Sequence, residues 1–181
     1  MIKDDFLRYK FLIVLNAVIS LFGIIIVINN IDFSNYYNVI YSVFSILTMF
    51  FVILYSVNKK QKFDRLFLIL FEYTCLLTHF ITLIFICFND FVLTSFIKDL
   101  ICLFLLGELV FNNKLNNKQS IILCFILFII EVVTFIYLFP LIADESLISQ
   151  KIVLTIISIL HLFVVYIKFK RKSILFNEIH L

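Results

Sequence analysis

Long apolar runs broken by short polar interruptions recur along the whole chain, at approximately 11–28, 38–57, 66–88, 91–112, 120–142 and 152–168. A hydrocarbon layer about 30 Å thick is crossed by roughly 20 residues of α-helix, so each run predicts one transmembrane helix. The interruptions are themselves informative. NNIDFSNYYN, between the first two runs, has no Lys or Arg, and with Phe33, Tyr36, Tyr37 and Tyr41 it reads as an aromatic interface belt. Asn89 and Asp90 suit a tight hairpin between the third and fourth runs. The opening MIKDDFLRYK resembles the charged start of a signal peptide. The run after it is too long and lacks a small-residue cleavage site, so it is read as a retained first span.

Composition agrees with the pattern. Hydrophobic residues make up 64% of the chain and charged residues 15%, with a mean hydropathy of +1.14. Soluble domains hold only about 45–50% apolar residues. With two Gly and one Pro, a barrel with frequent turns is disfavoured, and helices are the other structure that satisfies its own backbone in lipid. The expected fold is all-α: a polytopic integral membrane helical bundle with six transmembrane helices, forming a single membrane domain.

Charge sets an orientation. Lys3, Arg8 and Lys10 precede the first run, Lys59, Lys60, Lys62 and Arg65 follow the second, Lys114 and Lys118 follow the fourth, and Lys168, Lys170, Arg171 and Lys172 stand at the end of the sixth and just after it. Thirteen of the fifteen cations therefore fall on one side of a six-span chain, which the positive-inside rule makes cytoplasmic, with both termini inside. The net charge of +3 is explained by this topology, so nucleic acid is not an expected partner. The tail RKSILFNEIHL could lie along the inner interface; a stop-transfer cluster with a frayed end is the preferred reading.

The fourth run is the exception to an apolar pattern, for it carries Lys98, Asp99 and Glu108. Each such charge at mid-membrane costs about 2.5–3.5 kcal/mol on an insertion scale, against about 0.3–0.6 returned by each Leu, Ile or Phe. If the run spans, its charges need partners on neighbouring helices. Glu72 and His79 in the third run, Glu131 in the fifth and His161 in the sixth are the candidates. At 1.5 Å per residue, His79, Lys98 and Asp99 lie about 20 Å from the cytoplasmic end and Glu131 about 17 Å. At 100° per residue, Glu72, Cys75, His79 and Thr82 share one stripe, as do Ser120, Cys124, Glu131 and Thr134, and Thr94, Lys98 and Glu108 stack in a similar way.

Two readings of these seven ionisable residues carry equal weight: a path that binds or relays protons or cations, and buried pairs, Lys98 with Glu131 or Asp99 with His79, that hold helices together. Glu108 is close enough to the cytoplasmic end to snorkel. Cys75 and His79, at i and i+4 with Glu72 a turn earlier, outline a nucleophile, base and orienting acid; a soft apolar Cys beside a paired His is the simpler account. Haem ligation by His79 and His161 is disfavoured, because their depths differ by about 10 Å. The four cysteines have no CxxC spacing, so no metal site is expected.

The expected function is that of a channel or transporter subunit with a polar intramembrane path for protons or cations. A non-transporting scaffold, sensor or immunity or defence component acting through a protein partner is the alternative, and a membrane-embedded cysteine peptidase is the second. Extramembrane linkers of about ten residues are too short to fold alone. Beyond the lipid bilayer, a second copy or a partner membrane or cytoplasmic protein is therefore expected. The first two runs, which lack charge, would be lipid-facing or oligomer-forming support.

Overall fold

The computed structural model describes residues 2–58, 61–88, 93–112, 117–138, 149 and 152–167. All the regular structure among these residues is helical, in α1 (Ile2–Asn29), α2 (Tyr36–Val57), α3 (Gln61–Phe88), α4 (Leu93–Phe111), α5 (Asn117–Leu138) and α6 (Ile152–Ile167). Each helix coincides with one apolar run. Three stretches, Lys10–Asn29, Tyr36–Val57 and Arg65–Phe88, are long and apolar enough to cross a membrane, and α6 is a shorter apolar helix. The Asn89–Asp90 turn, the side chain of Thr94, Pro140 and the basic tail lie outside the described residues.

Local chemistry fixes the helix ends. The Asn35 side chain caps α2, accepting from the backbone N–H of Tyr37 at 3.0 Å and of Asn38 at 3.4 Å, so two N–H groups with no intrahelical partner are satisfied. In the connection before it, Asp32 accepts from the Ser34 hydroxyl at 2.6 Å and the Ser34 amide at 2.9 Å. These two bonds hold its carboxyl below the usual value of 3.8. At the end of α1, the Asn30 amide donates to the Ile26 carbonyl at 2.8 Å. Of the expected aromatic belt, Phe33 and Tyr36 are exposed, whereas Tyr41 is buried. Tyr37 stacks on Phe85 of α3 with ring centroids 3.6 Å apart. The belt is thus divided: an α-helix turns by 100° per residue, and only part of a cluster can face outward.

Helices adjacent in sequence pack together, α1 on α2, α2 on α3, α3 on α4 and α4 on α5. The outside of the bundle is apolar, with Val14, Val18, Leu21 and Ile25 of α1, Phe80 and Ile84 of α3, Phe104 of α4 and Ile129 of α5 all exposed. The inside holds Asn16, Ser45, Thr78, His79, Asp99, Glu131 and His161. Water would reverse this arrangement, since burying polar groups and exposing contiguous apolar surface are both unfavourable there. Hydrocarbon favours it. Hydroxyls inside are satisfied within their own helices: Thr74 donates to Leu70 O at 2.8 Å, Thr78 to Thr74 O at 2.9 Å and Thr82 to Thr78 O at 3.0 Å.

α6 occupies the middle. None of its residues is exposed, and Val153, Leu154, Ile157, Leu160, Val164 and Ile167 belong to the core, as an all-round apolar helix requires. Gly23 of α1 makes the close approach possible: a Cβ there would stand 2.6 Å from the Met49 sulfur of α2 and 3.2 Å from Ile156 Cγ2 of α6. α1 is more than a lipid-facing prop, because Asn16 also donates to Ser56 Oγ of α2 at 2.8 Å, both groups buried.

Candidate functional site

Two charged residues of α4, Lys98 and Asp99, lie in a cluster to which α3 and α5 also contribute. Lys98 and Cys102, at i and i+4, present one face of α4. Lys98 Nζ donates to both oxygens of Glu131 on α5, at 3.3 and 3.4 Å. The Cys102 thiol lies 3.6 Å from Glu131 Oε1. Asp99 Oδ1 stands 2.5 Å from Lys98 Nζ. Neighbouring residues on a helix do not face one another squarely, and neither Asp99 oxygen has a hydrogen bond among the described residues, so this contact is an ion pair without hydrogen-bond alignment. From α3, the stripe that includes Cys75, Thr78 and Thr82 brings His79 to the same place. A ring nitrogen of His79, Cys102 Sγ and a Glu131 oxygen all lie within 4.8 Å of one another.

All five side chains are buried, with Asp99 and Cys102 completely so. Lys98, Asp99 and Glu131 in their ordinary ionised forms give the cluster a formal charge of −1. Ion pairs in a low-dielectric interior recover their desolvation cost only with good geometry and further hydrogen bonds. One ammonium serving two carboxylates leaves such a cluster able to accept a further positive charge. That is its main chemical property.

A second contact lies one turn away along α3. Cys75 Sγ is 3.8 Å from His161 Nδ1 of α6, and Phe71 packs against the His161 ring at a centroid distance of 5.0 Å. The helical repeat puts Cys75 and His79 on one face, so α3 links the two groups. Two buried polar groups thus share α3: Cys75 with His161, and His79 with Cys102, Glu131, Lys98 and Asp99.

The expected Lys98–Glu131 pair is present. Asp99 meets Lys98. The short contact of the Cys75 thiol is with His161 on another helix, and with the thiol buried, no substrate reaches it in this conformation. Glu72 and Glu108 are only partly buried, and Glu108 accepts from the Asn112 side chain at 2.9 Å near the end of α4. Sequence spacing did not indicate Cys102, nor the convergence of His79, Cys102 and Glu131, because each comes from a different helix and no short motif contains two of them. Its one signal was the i, i+4 relation of Cys102 to Lys98. No protein-family model, curated protein or solved structure matches this chain.

Proposed function

We propose that the chain is a six-span membrane protein with both termini cytoplasmic, acting as a channel or transporter subunit whose intramembrane polar groups bind and relay protons or cations. One observation carries the reading: ionisable side chains from α3, α4 and α5 converge in a buried cluster inside a bundle whose outer surface is apolar. Intramembrane ionisable residues of this kind are costly and characteristically lie on ion and proton pathways. An open aqueous pore is not the mode this reading adopts, because groups lining one would be wetted, whereas Asp99 and Cys102 are wholly buried. Passage then takes place by proton transfer between neighbouring groups or by an opening of the α3, α4 and α5 contacts.

Thirteen cations on one side support the six crossings and the orientation. The test is flux into liposomes containing the purified protein under a proton or cation gradient. Glu131→Gln and Lys98→Met should abolish flux while the protein remains folded, and unchanged flux would overturn the reading. The direct Lys98–Glu131 contact also fits a second reading, a clasp in a scaffold, sensor or immunity or defence component that works through another chain. That reading predicts no flux and a co-purifying partner.

A further inference from the structure

We infer that His79, Cys102 and Glu131 form a binding site for a transition-metal dication of the zinc class. The three ligand atoms lie within 4.8 Å of one another, already converged and buried, although zinc bonds to such atoms are only about 2.0–2.3 Å long. A cation placed between them can therefore meet all three after small side-chain movements. Imidazole, thiolate and carboxylate together select zinc-like metals over Mg2+ and Ca2+, which take oxygen ligands alone. Three protein ligands leave the fourth tetrahedral position open, as in sites whose metal must exchange partners, whereas sites built only for structure are closed by four.

The charges nearby favour the same occupant. Lys98, Asp99 and Glu131 sum to −1. When the metal binds, the Cys102 S–H bond is given up, its proton leaves to solvent and the sulfur bonds to the metal. Two positive charges arrive and one leaves with the proton, which brings the cluster to zero inside a medium that penalises net charge. Lys98 is no obstacle. It already stands 2.5 Å from Asp99, so it keeps a carboxylate when the metal takes the Glu131 oxygens. Among the described residues, the neighbourhood also holds Glu72 and Cys75 of α3, Cys124 of α5, His161 of α6, and Tyr37 and Tyr41 of α2. None adds a fixed positive charge to oppose the metal. In so far as the metal is cargo, the inference rests on the conduit reading; binding itself does not.

Purified full-length protein in metal-free detergent solution, titrated with Co2+ as a spectroscopic probe, tests this. Wild type should take up one Co2+ per chain with a sulfur-to-cobalt charge-transfer band. Zn2+ should displace the Co2+, and Mg2+ should not. Cys102→Ser should lose the band and the exposed-cysteine control Cys87→Ser should keep it, while His79→Gln should weaken binding by about 100-fold or more, beyond the usual effect of supporting residues. Absence of the band in wild type, or its survival in Cys102→Ser, overturns the site. Should Cys102→Ser fail to fold, X-ray absorption of zinc-loaded wild type decides: one sulfur near 2.3 Å with nitrogen and oxygen neighbours near 2.0–2.2 Å is expected, roughly as in known zinc sites, and a shell with no sulfur or several overturns it. Metal bound without flux in liposomes keeps this site and removes the conduit; flux in a protein that binds no metal removes this site and keeps the conduit.

Discussion

Removing Lys98 should damage the protein far more than removing either carboxylate it serves. With Lys98, Asp99 and Glu131 charged, the cluster stands at −1; Glu131→Gln or Asp99→Asn brings it to zero and leaves one ion pair, whereas Lys98→Met leaves two carboxylates and no cation at −2. The three groups are 6%, 0% and 1% exposed respectively, so solvent screens little of this. Breaking a buried pair by removing one partner costs about 3–5 kcal/mol, and Lys98→Met belongs at that level because both acids lose their cation. On charge grounds alone, each carboxylate-to-amide change should cost less than about 1–2 kcal/mol, the range of a modified hydrogen bond. Thermal unfolding in detergent, followed by loss of the monodisperse peak, reads the difference. For a chain of this size 1 kcal/mol corresponds to roughly 2–4 °C, so Lys98→Met should melt about 6–20 °C lower. The triple variant Lys98→Met, Asp99→Asn, Glu131→Gln should recover most of the loss. Equal destabilisation by Lys98→Met and Glu131→Gln would refute the charge accounting, as would failure of the triple variant to recover.

Other outcomes follow from packing and from the ends of the helices. Gly23→Ala presses on the flexible end of Met49 and on Ile156 and should cost about 1–3 kcal/mol; the much larger Gly23→Leu should prevent stable folding, which thermal melting resolves. Asn16→Leu removes the buried hydrogen bond from the Asn16 side chain to Ser56 Oγ and should cost about 0.5–1.5 kcal/mol, the ordinary net worth of such a bond, read as a lower melting temperature. Asp32 is held below its ordinary value in the folded state, so the contribution of its turn is present above about 3.8 and is lost as pH falls through the lower folded value. The protection of the Ser34 amide, taken as its exchange rate relative to that of an unprotected amide at the same pH, should fall only below that point, and its loss near neutral pH would contradict the bonding. Under native conditions a maleimide should label Cys87 and spare Cys75, Cys102 and Cys124, which are buried; labelling of Cys102 before unfolding would show that the cluster opens.

The helices were legible because period and length are local properties: each apolar run became one helix, and Cys75, His79 and Thr82 fell on one buried face of α3 as their spacing implied. The Lys98–Glu131 pair was legible through depth, since both were placed at similar distances from the cytoplasmic end and only an opposite charge stabilises Lys98 there. The central position of α6 was not. A sequence gives how apolar a helix is around its circumference but not which neighbours surround it, and the stretch of α1 from Phe11 to Ile28, equally free of charge, lies at the outside with Val14, Val18 and Phe22 exposed. The Cys75–His161 and Cys102–Glu131 contacts depend on helix rotation and on pairings between residues 86 and 29 positions apart, and no local spacing records those. Tyr41 was misassigned to the interface for the same reason, its ring turning inward from a helix end rich in outward aromatics.

The account depends most on the fourth helix crossing the bilayer, because only then are Lys98, Asp99 and Cys102 held inside the membrane against His79 and Glu131. Single cysteines at its two ends, Asp90→Cys and Lys114→Cys, each in a Cys87→Ser background, can be probed with a membrane-impermeant maleimide in intact and permeabilised cells. Asp90→Cys should label in intact cells and Lys114→Cys only after permeabilisation; labelling of both from the same side would contradict the crossing, and with it the placement of the charged cluster within the bilayer.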